Sequence, residues 1–167
     1  MGVKEIVVRY FMKKKILFSF IVLFLLLFVT GCTDKTAITA VNFQDKMEKK
    51  GYTIYDVTDQ YSSYGYIVKV LIAMNEDNSY QLEFYSIDNE EHAKSVFNTN
   101  KTTFEEIQEN SSSKAYSYVS VGNHSKYTLS AEGRFMAVSR IDDTIIYLDV
   151  DKEYTKEVKS ILKELGY

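Results

Sequence analysis

Apolar and polar positions along the chain repeat with periods that change at turn residues, and those changes predict an order of elements. Phe43 and Met47, four apart, mark a short first helix that Asn42 is placed to cap and Gly51 to end. Tyr52 to Val57 reads as a strand. Val68, Val70, Ile72 and Met74 alternate with Lys69, Leu71 and Ala73, Glu76-Asp77-Asn78 turns the chain, and Tyr80, Leu82 and Phe84 alternate with Gln81, Glu83 and Tyr85. That pattern is a hairpin with one face inward. Asp88-x-x-Glu91 resembles a capping box opening a second helix, whose Ala93, Val96, Phe97, Phe104 and Ile107 keep helical spacing across a weak Asn98-Thr99-Asn100 stretch, a candidate break. After the Ser111-Ser112-Ser113 loop come strands at 115–121, 125–130, 134–141 and 144–150, separated by Gly122-Asn123, Glu132-Gly133 and Asp142-Asp143. A closing helix opens at Asp151, carries Tyr154, Val158, Ile161, Leu162 and Leu165 on one face, and stops at Gly166.

The succession α-βββ-α-ββββ-α, with short turns between strands, predicts an α+β fold: an antiparallel β-sheet with helices packed on one face. Tyr61 to Tyr66 against Ser111 to Tyr116 is too loose a match to make the two helix-then-strands units a repeat.

Upstream of this domain the pattern is of another kind. Residues 16–29 (ILFSFIVLFLLLFV) form a charge-free run of 14 behind Lys13, Lys14 and Lys15. As a helix it rises about 21 Å against a hydrocarbon core of about 30 Å, short for a permanent span and right for the h-region of a signal peptide. The basic cluster, the apolar core and the small residues Thr30 and Gly31 lead to Cys32, the only cysteine in the chain. Val29-Thr30-Gly31-Cys32 resembles the lipobox of bacterial lipoproteins. The resemblance covers residues 1–32 and implies that Cys32 receives a diacylglyceryl group and that the chain is cut before it. Residues 1–31 are then a signal peptide, with Met12 the expected start, and residues 32–41 a lipidated cysteine and short tether. A single domain follows over 42–167. Two acyl chains suffice for stable attachment, so the protein is expected at the cell membrane, lipid-anchored and facing outside the cytoplasm, with the bilayer as its first partner.

Removal of residues 1–31 takes away five cations (Lys4, Arg9, Lys13, Lys14, Lys15) and one anion (Glu5), leaving 15 basic and 22 acidic residues among 136 and a net charge of -7. An acidic body argues against nucleic acid as a partner, because phosphate binding needs a basic stripe. A single cysteine excludes a disulfide framework, and with no proline the chain has no stiff stalk.

Reactive chemistry is sparse. No G-x-S-x-G elbow, Gly-rich phosphate loop or C-x-x-C pair is present. His92 and His124 read as solvated or packing histidines. Asp142 with Asp143 reads as a turn, and Asp149, Asp151 and Glu153 as a strand end and helix start. Lys152, Lys156, Lys159 and Lys163 form a stripe on the last helix that reads as a solvated face. No catalytic or metal-ligating residue is assigned, and no cofactor beyond the covalent lipid on Cys32.

Tyrosine is the suggestive residue. Of 14 tyrosines, Tyr52, Tyr55, Tyr61, Tyr64 and Tyr66 fall within 15 residues, the last three interleaved with Ser62, Ser63 and Gly65. Binding loops favour that mixture, because Tyr supplies large amphipathic contact area at small entropic cost. Tyr61, Tyr64 and Tyr66 are therefore the candidate partner-binding residues, the alternative being that they pack at a sheet edge. The expected function is a membrane-anchored extracytoplasmic lipoprotein whose small non-catalytic domain binds an envelope protein or a small ligand. Two other readings stay open: a cell-envelope hydrolase pairing a carboxylate from 56–59 with one from 149–153, and an immunity or inhibitor lipoprotein.

Overall fold

The computed structural model of the protein describes residues 34–167; the signal segment and Cys32 lie outside the described residues. The order of elements is α1 (Ala40–Glu48), β1 (Thr53–Asp56), a 3-10 turn (Thr58–Tyr61), β2 (Ile67–Met74), β3 (Gln81–Ile87), α2 (Glu90–Asn110), β4 (Lys114–Val121), β5 (His124–Ala131), β6 (Arg134–Ile141), β7 (Thr144–Asp151), a second 3-10 turn (Lys152–Tyr154) and α3 (Thr155–Leu165). This is the expected α-βββ-α-ββββ-α succession, and the class is α+β. All seven strands join one antiparallel sheet in the order β1-β2-β3-β7-β6-β5-β4. Two meanders thus meet at β3 and β7, and α2 carries the chain from the end of the first to the far edge of the sheet.

The helices do not share one face, although the succession of elements with short turns predicts that they do. Phe43 and Met47 of α1 and Val158, Ile161, Leu162 and Leu165 of α3 pack with Leu82, Phe84, Phe135 and Leu148, with the rings of Phe43 and Phe84 stacked at 5.0 Å. Ala93, Phe97 and Phe104 of α2 pack on the opposite face with Tyr127, Leu129, Met136, Val138 and Ile145. The reason is written in β6, where every residue from Phe135 to Ile141 is buried. A strand with apolar side chains on both sides needs cover on both sides.

Local signals account for the ends of the elements, with three corrections. Thr39, not Asn42, caps α1: its hydroxyl accepts the Asn42 N–H at 3.2 Å, so the helix starts earlier. Asn89 in extended backbone caps α2, accepting the His92 N–H at 2.9 Å. Helix α2 also runs unbroken through Asn98-Thr99-Asn100. Thr99 and Asn100 return their side chains to the carbonyls of Ser95 and Val96 at 3.1 and 2.9 Å, while Phe97 and Phe104 on either side stay anchored in the core. Packing outweighs the low intrinsic propensity of that stretch. We expect Asn89→Ala to lower the stability of the domain by about 1 kcal/mol, read as a lower urea midpoint at unchanged slope; an unmoved midpoint would deny the cap its role.

The segment expected to be a tether is part of the folded unit from Asp34 onward. Lys35 exchanges two hydrogen bonds with the Asn123 side chain, its N–H donating at 2.9 Å and its carbonyl accepting at 2.7 Å, and its ammonium donates to the Gly166 carbonyl at 2.9 Å. Ile38 is buried under the same core as α1 and α3. The chain therefore enters the domain beside the β4–β5 turn and the β6–β7 turn, which Asn123 joins by donating to Asp142 at 2.9 Å.

Candidate functional site

The loop between β1 and β2 is built by its own backbone. Tyr64 N–H donates to Tyr61 at 2.9 Å, Ile67 to Tyr64 at 3.0 Å, and Asp88, at the start of α2, to the Tyr66 carbonyl at 2.9 Å. Those bonds stand the three candidate tyrosines along one side of a crevice of about 260 Å³. Its floor is the α2 side of the sheet: Glu83 lies opposite Tyr147, and Tyr85 opposite Ile145. Its other wall is Val96 and Asn100 of α2. The rings of Tyr61 and Tyr85 meet edge to face at 5.8 Å, Tyr64 and Tyr66 lie 6.0 Å apart, and Tyr61 and Tyr64 6.4 Å apart. Tyr64 remains 51% exposed at the rim.

Glu83 is the one charged group in the lining. Its carboxylate accepts from the Gln81 amide at 2.8 Å and from the Tyr85 hydroxyl, both neutral donors. Among the described residues no lysine, arginine or histidine forms an ion pair with it. Burial, and then the charge of Glu83, push the Tyr85 phenol far above its usual range; burial, then Asp149 and Glu83, raise Tyr147 as well. Both phenols stay protonated at any physiological pH, and Tyr85 stays a donor to the carboxylate. A concave, largely aromatic lining with one fixed charge is the composition of a small-ligand site.

Two other concavities are less directed. One of about 290 Å³ lies among Ser112, Ser113, Glu132 and Lys152 and the strand ends beside them, and one of about 410 Å³ among Lys50, Asn75, Asp77 and Glu157.

The carboxylates weighed for hydrolysis are not brought together. Asp56 is on the edge strand β1, with β2 and β3 between it and β7. Lys69 at 2.6 Å and the Thr58 hydroxyl and N–H hold its carboxyl at about 2. Asp149 and Asp151 both engage Arg134, at 2.7 and 3.2 Å. Asp142 occupies its turn with φ 49°. His92 bonds Asp88 at 2.7 Å at the start of α2, with its ring 5.3 Å from that of Tyr66. His124 lies in β5, its basicity lowered by burial and then by Lys35. Among the described residues no group of three or more histidines, cysteines or carboxylates is placed to hold a metal ion, and no helix is long and apolar enough to cross a membrane.

The sequence reading found one wall of the crevice and missed its floor. Glu83 and Tyr85 belong to the side of the hairpin read as outward, and Tyr147 to a strand whose sides were not assigned; they meet the tyrosine loop only because β3 pairs with β7. The available signal was the aromatic and aliphatic character of those positions, Tyr85 with Ile87 in β3 and Ile145 with Tyr147 in β7. No family model, curated protein sequence or solved structure matches the chain.

Proposed function

We propose that the protein is a lipid-anchored extracytoplasmic lipoprotein that binds a small ligand, or a small group on a larger partner, in the tyrosine-lined crevice, without catalysis. The observation that carries the binding half is the convergence of Tyr61, Tyr64, Tyr66, Tyr85 and Tyr147 on one crevice with Glu83 at its floor. Its volume is just under the range of about 300–1,000 Å³ typical of drug-sized ligands, which suits a head group or side chain. The anchoring half rests on the lipobox-like residues ending at Cys32.

The way the chain enters the domain supports joining the two. Lys35 is clamped to the β4–β5 turn, and three residues back to Cys32 reach at most about 11 Å. A lipid on Cys32 would hold that end of the sheet at the bilayer surface. The tyrosine loop is at the same end: β2 starts there at Ile67, opposite Ile87, whose N–H bonds the Asp143 carbonyl at 2.9 Å.

The test is a ligand screen on the full chain in maltoside micelles with 13C-labelled tyrosine rings. Binders should move the rings of Tyr61, Tyr64, Tyr66, Tyr85 and Tyr147 and leave those of Tyr52, Tyr80, Tyr154 and Tyr167 in place. Changing Tyr61, Tyr64 and Tyr66 together to Ser should weaken binding by roughly tenfold or more while the circular dichroism spectrum stays that of a folded domain. Binders that act elsewhere, or with equal affinity on the triple variant, would sink the assignment.

A further inference from the structure

The crevice has a counterpart inside the same molecule. On the β4–β5 side of the α2 face, the Lys101 ammonium lies 5.1 Å from the ring centre of Tyr118 and 5.8 Å from that of Tyr127, and pairs with the Glu105 carboxylate at 2.6 Å. Tyrosines and one carboxylate there surround an alkylammonium supplied by the chain. The crevice repeats the tyrosines and the carboxylate, but its Glu83 is bonded only by an amide and a phenol. A carboxylate has about four lone-pair positions, so two remain for a ligand.

We infer that the crevice binds an organic ammonium ion, with Glu83 as counter-charge and the tyrosine rings as its walls. This rests on the crevice being the binding site. A cation within about 6 Å of an aromatic ring centre is attracted by the ring quadrupole, and more strongly when desolvated. Rings spaced 5.8 to 6.4 Å apart around the mouth put several quadrupoles within reach of one bound cation. The phenols cannot cancel this by ionising, since burial holds Tyr85 and Tyr147 neutral. A bare metal ion fits poorly, because hard cations take six or more oxygen ligands and the lining offers one carboxylate. An anion would meet the charge of Glu83. The same ammonium chemistry belongs to free amines and to zwitterionic lipid head groups, and the entry of the chain at this end of the sheet brings both within range.

The experiment uses the full chain in phosphatidylglycerol nanodiscs, titrated with choline chloride, with its neutral isostere in which carbon replaces nitrogen, and with potassium chloride at equal ionic strength. Choline should shift the rings of Tyr61, Tyr85 and Tyr147 saturably, and the isostere and the salt should not. Glu83→Gln removes the charge and keeps one acceptor oxygen, which can hold the Gln81 amide while the Tyr85 hydroxyl turns to accept from the new amide N–H, so the domain should stay folded and choline affinity should fall by roughly tenfold or more. Tyr61→Leu is the second variant and should also weaken choline. In phosphatidylcholine nanodiscs, ring shifts without added choline would assign the ammonium to a lipid head group, and their absence alongside choline binding would assign it to a free amine. Isostere binding equal to choline, or wild-type choline affinity in Glu83→Gln, overturns the ammonium inference and leaves the crevice as a site. No response of the crevice rings to choline also overturns the ammonium inference, while the crevice as a site stands or falls with the ligand screen.

Discussion

Metabolic labelling with a palmitate analogue should mark the wild-type protein and leave Cys32→Ala unmarked. No other cysteine is available to receive the thioether-linked lipid. The variant should also keep its signal segment up to Gly31, since the resemblance implies a cut before the lipidated cysteine, and it should migrate more slowly as an uncleaved precursor. The effect on labelling should be all or none, because the chain has a single cysteine, and two acyl chains at about 0.8 kcal/mol per buried CH₂ would make the attachment stable. Equal labelling of the two proteins would end the lipoprotein reading, and with it the argument that holds the tyrosine loop at the bilayer.

The second large effect is on stability in alkali. Tyr52 and Tyr167 are almost fully buried, and burial pushes both phenols up to about 12; it drives Tyr80, hydrogen-bonded to Tyr52, and Tyr85 higher still. In the unfolded chain a tyrosine titrates near 10. Below that value both states hold the proton and the stabilisation is complete. As pH rises from about 10 towards 12, the unfolded state sheds protons that the native state retains, so stability falls with pH. A two-unit shift on each of Tyr52 and Tyr167 is worth on the order of 5 kcal/mol together by the upper end of that window, against a usual total of about 5–15 kcal/mol. Far-UV circular dichroism at 25 °C should therefore show cooperative unfolding between about pH 10 and 12, with phenolate absorbance of the buried tyrosines rising in the same transition. Tyr167→Phe removes one titrating group but leaves the Thr144 hydroxyl its bond to the Ile141 carbonyl at 2.8 Å, so the transition should become shallower. A native spectrum retained past pH 12 would mean that the phenols ionise without unfolding and that their burial is not what holds them neutral.

Both expectations start from single residues, yet they were legible to different degrees. The lipobox-like residues ending at Cys32 are read without any fold, because the motif consists of adjacent residues. The burial of Tyr167 is not readable: only the left-handed Gly166, with φ 95°, turns it back so that its N–H reaches the Leu162 carbonyl at 2.8 Å and its hydroxyl reaches Thr144. The tyrosine loop lies between these cases. Its composition makes it a candidate contact surface, but nothing local says that it stands over Glu83.

What the sequence by itself determined is the succession α-βββ-α-ββββ-α and the turns between its members. Periodicity, caps and turn residues act within a few positions of one another, so Glu132-Gly133 makes its turn with φ of 50° and 75° whatever the sheet does elsewhere. The tertiary structure alone decided the order β1-β2-β3-β7-β6-β5-β4, the division of helices between two faces, and the assembly of the crevice. Period-two alternation defines two sides of a strand but not what covers either, and residues as far apart as Glu83 and Tyr147 become neighbours only through pairing driven by burial of both faces of β6 and β7.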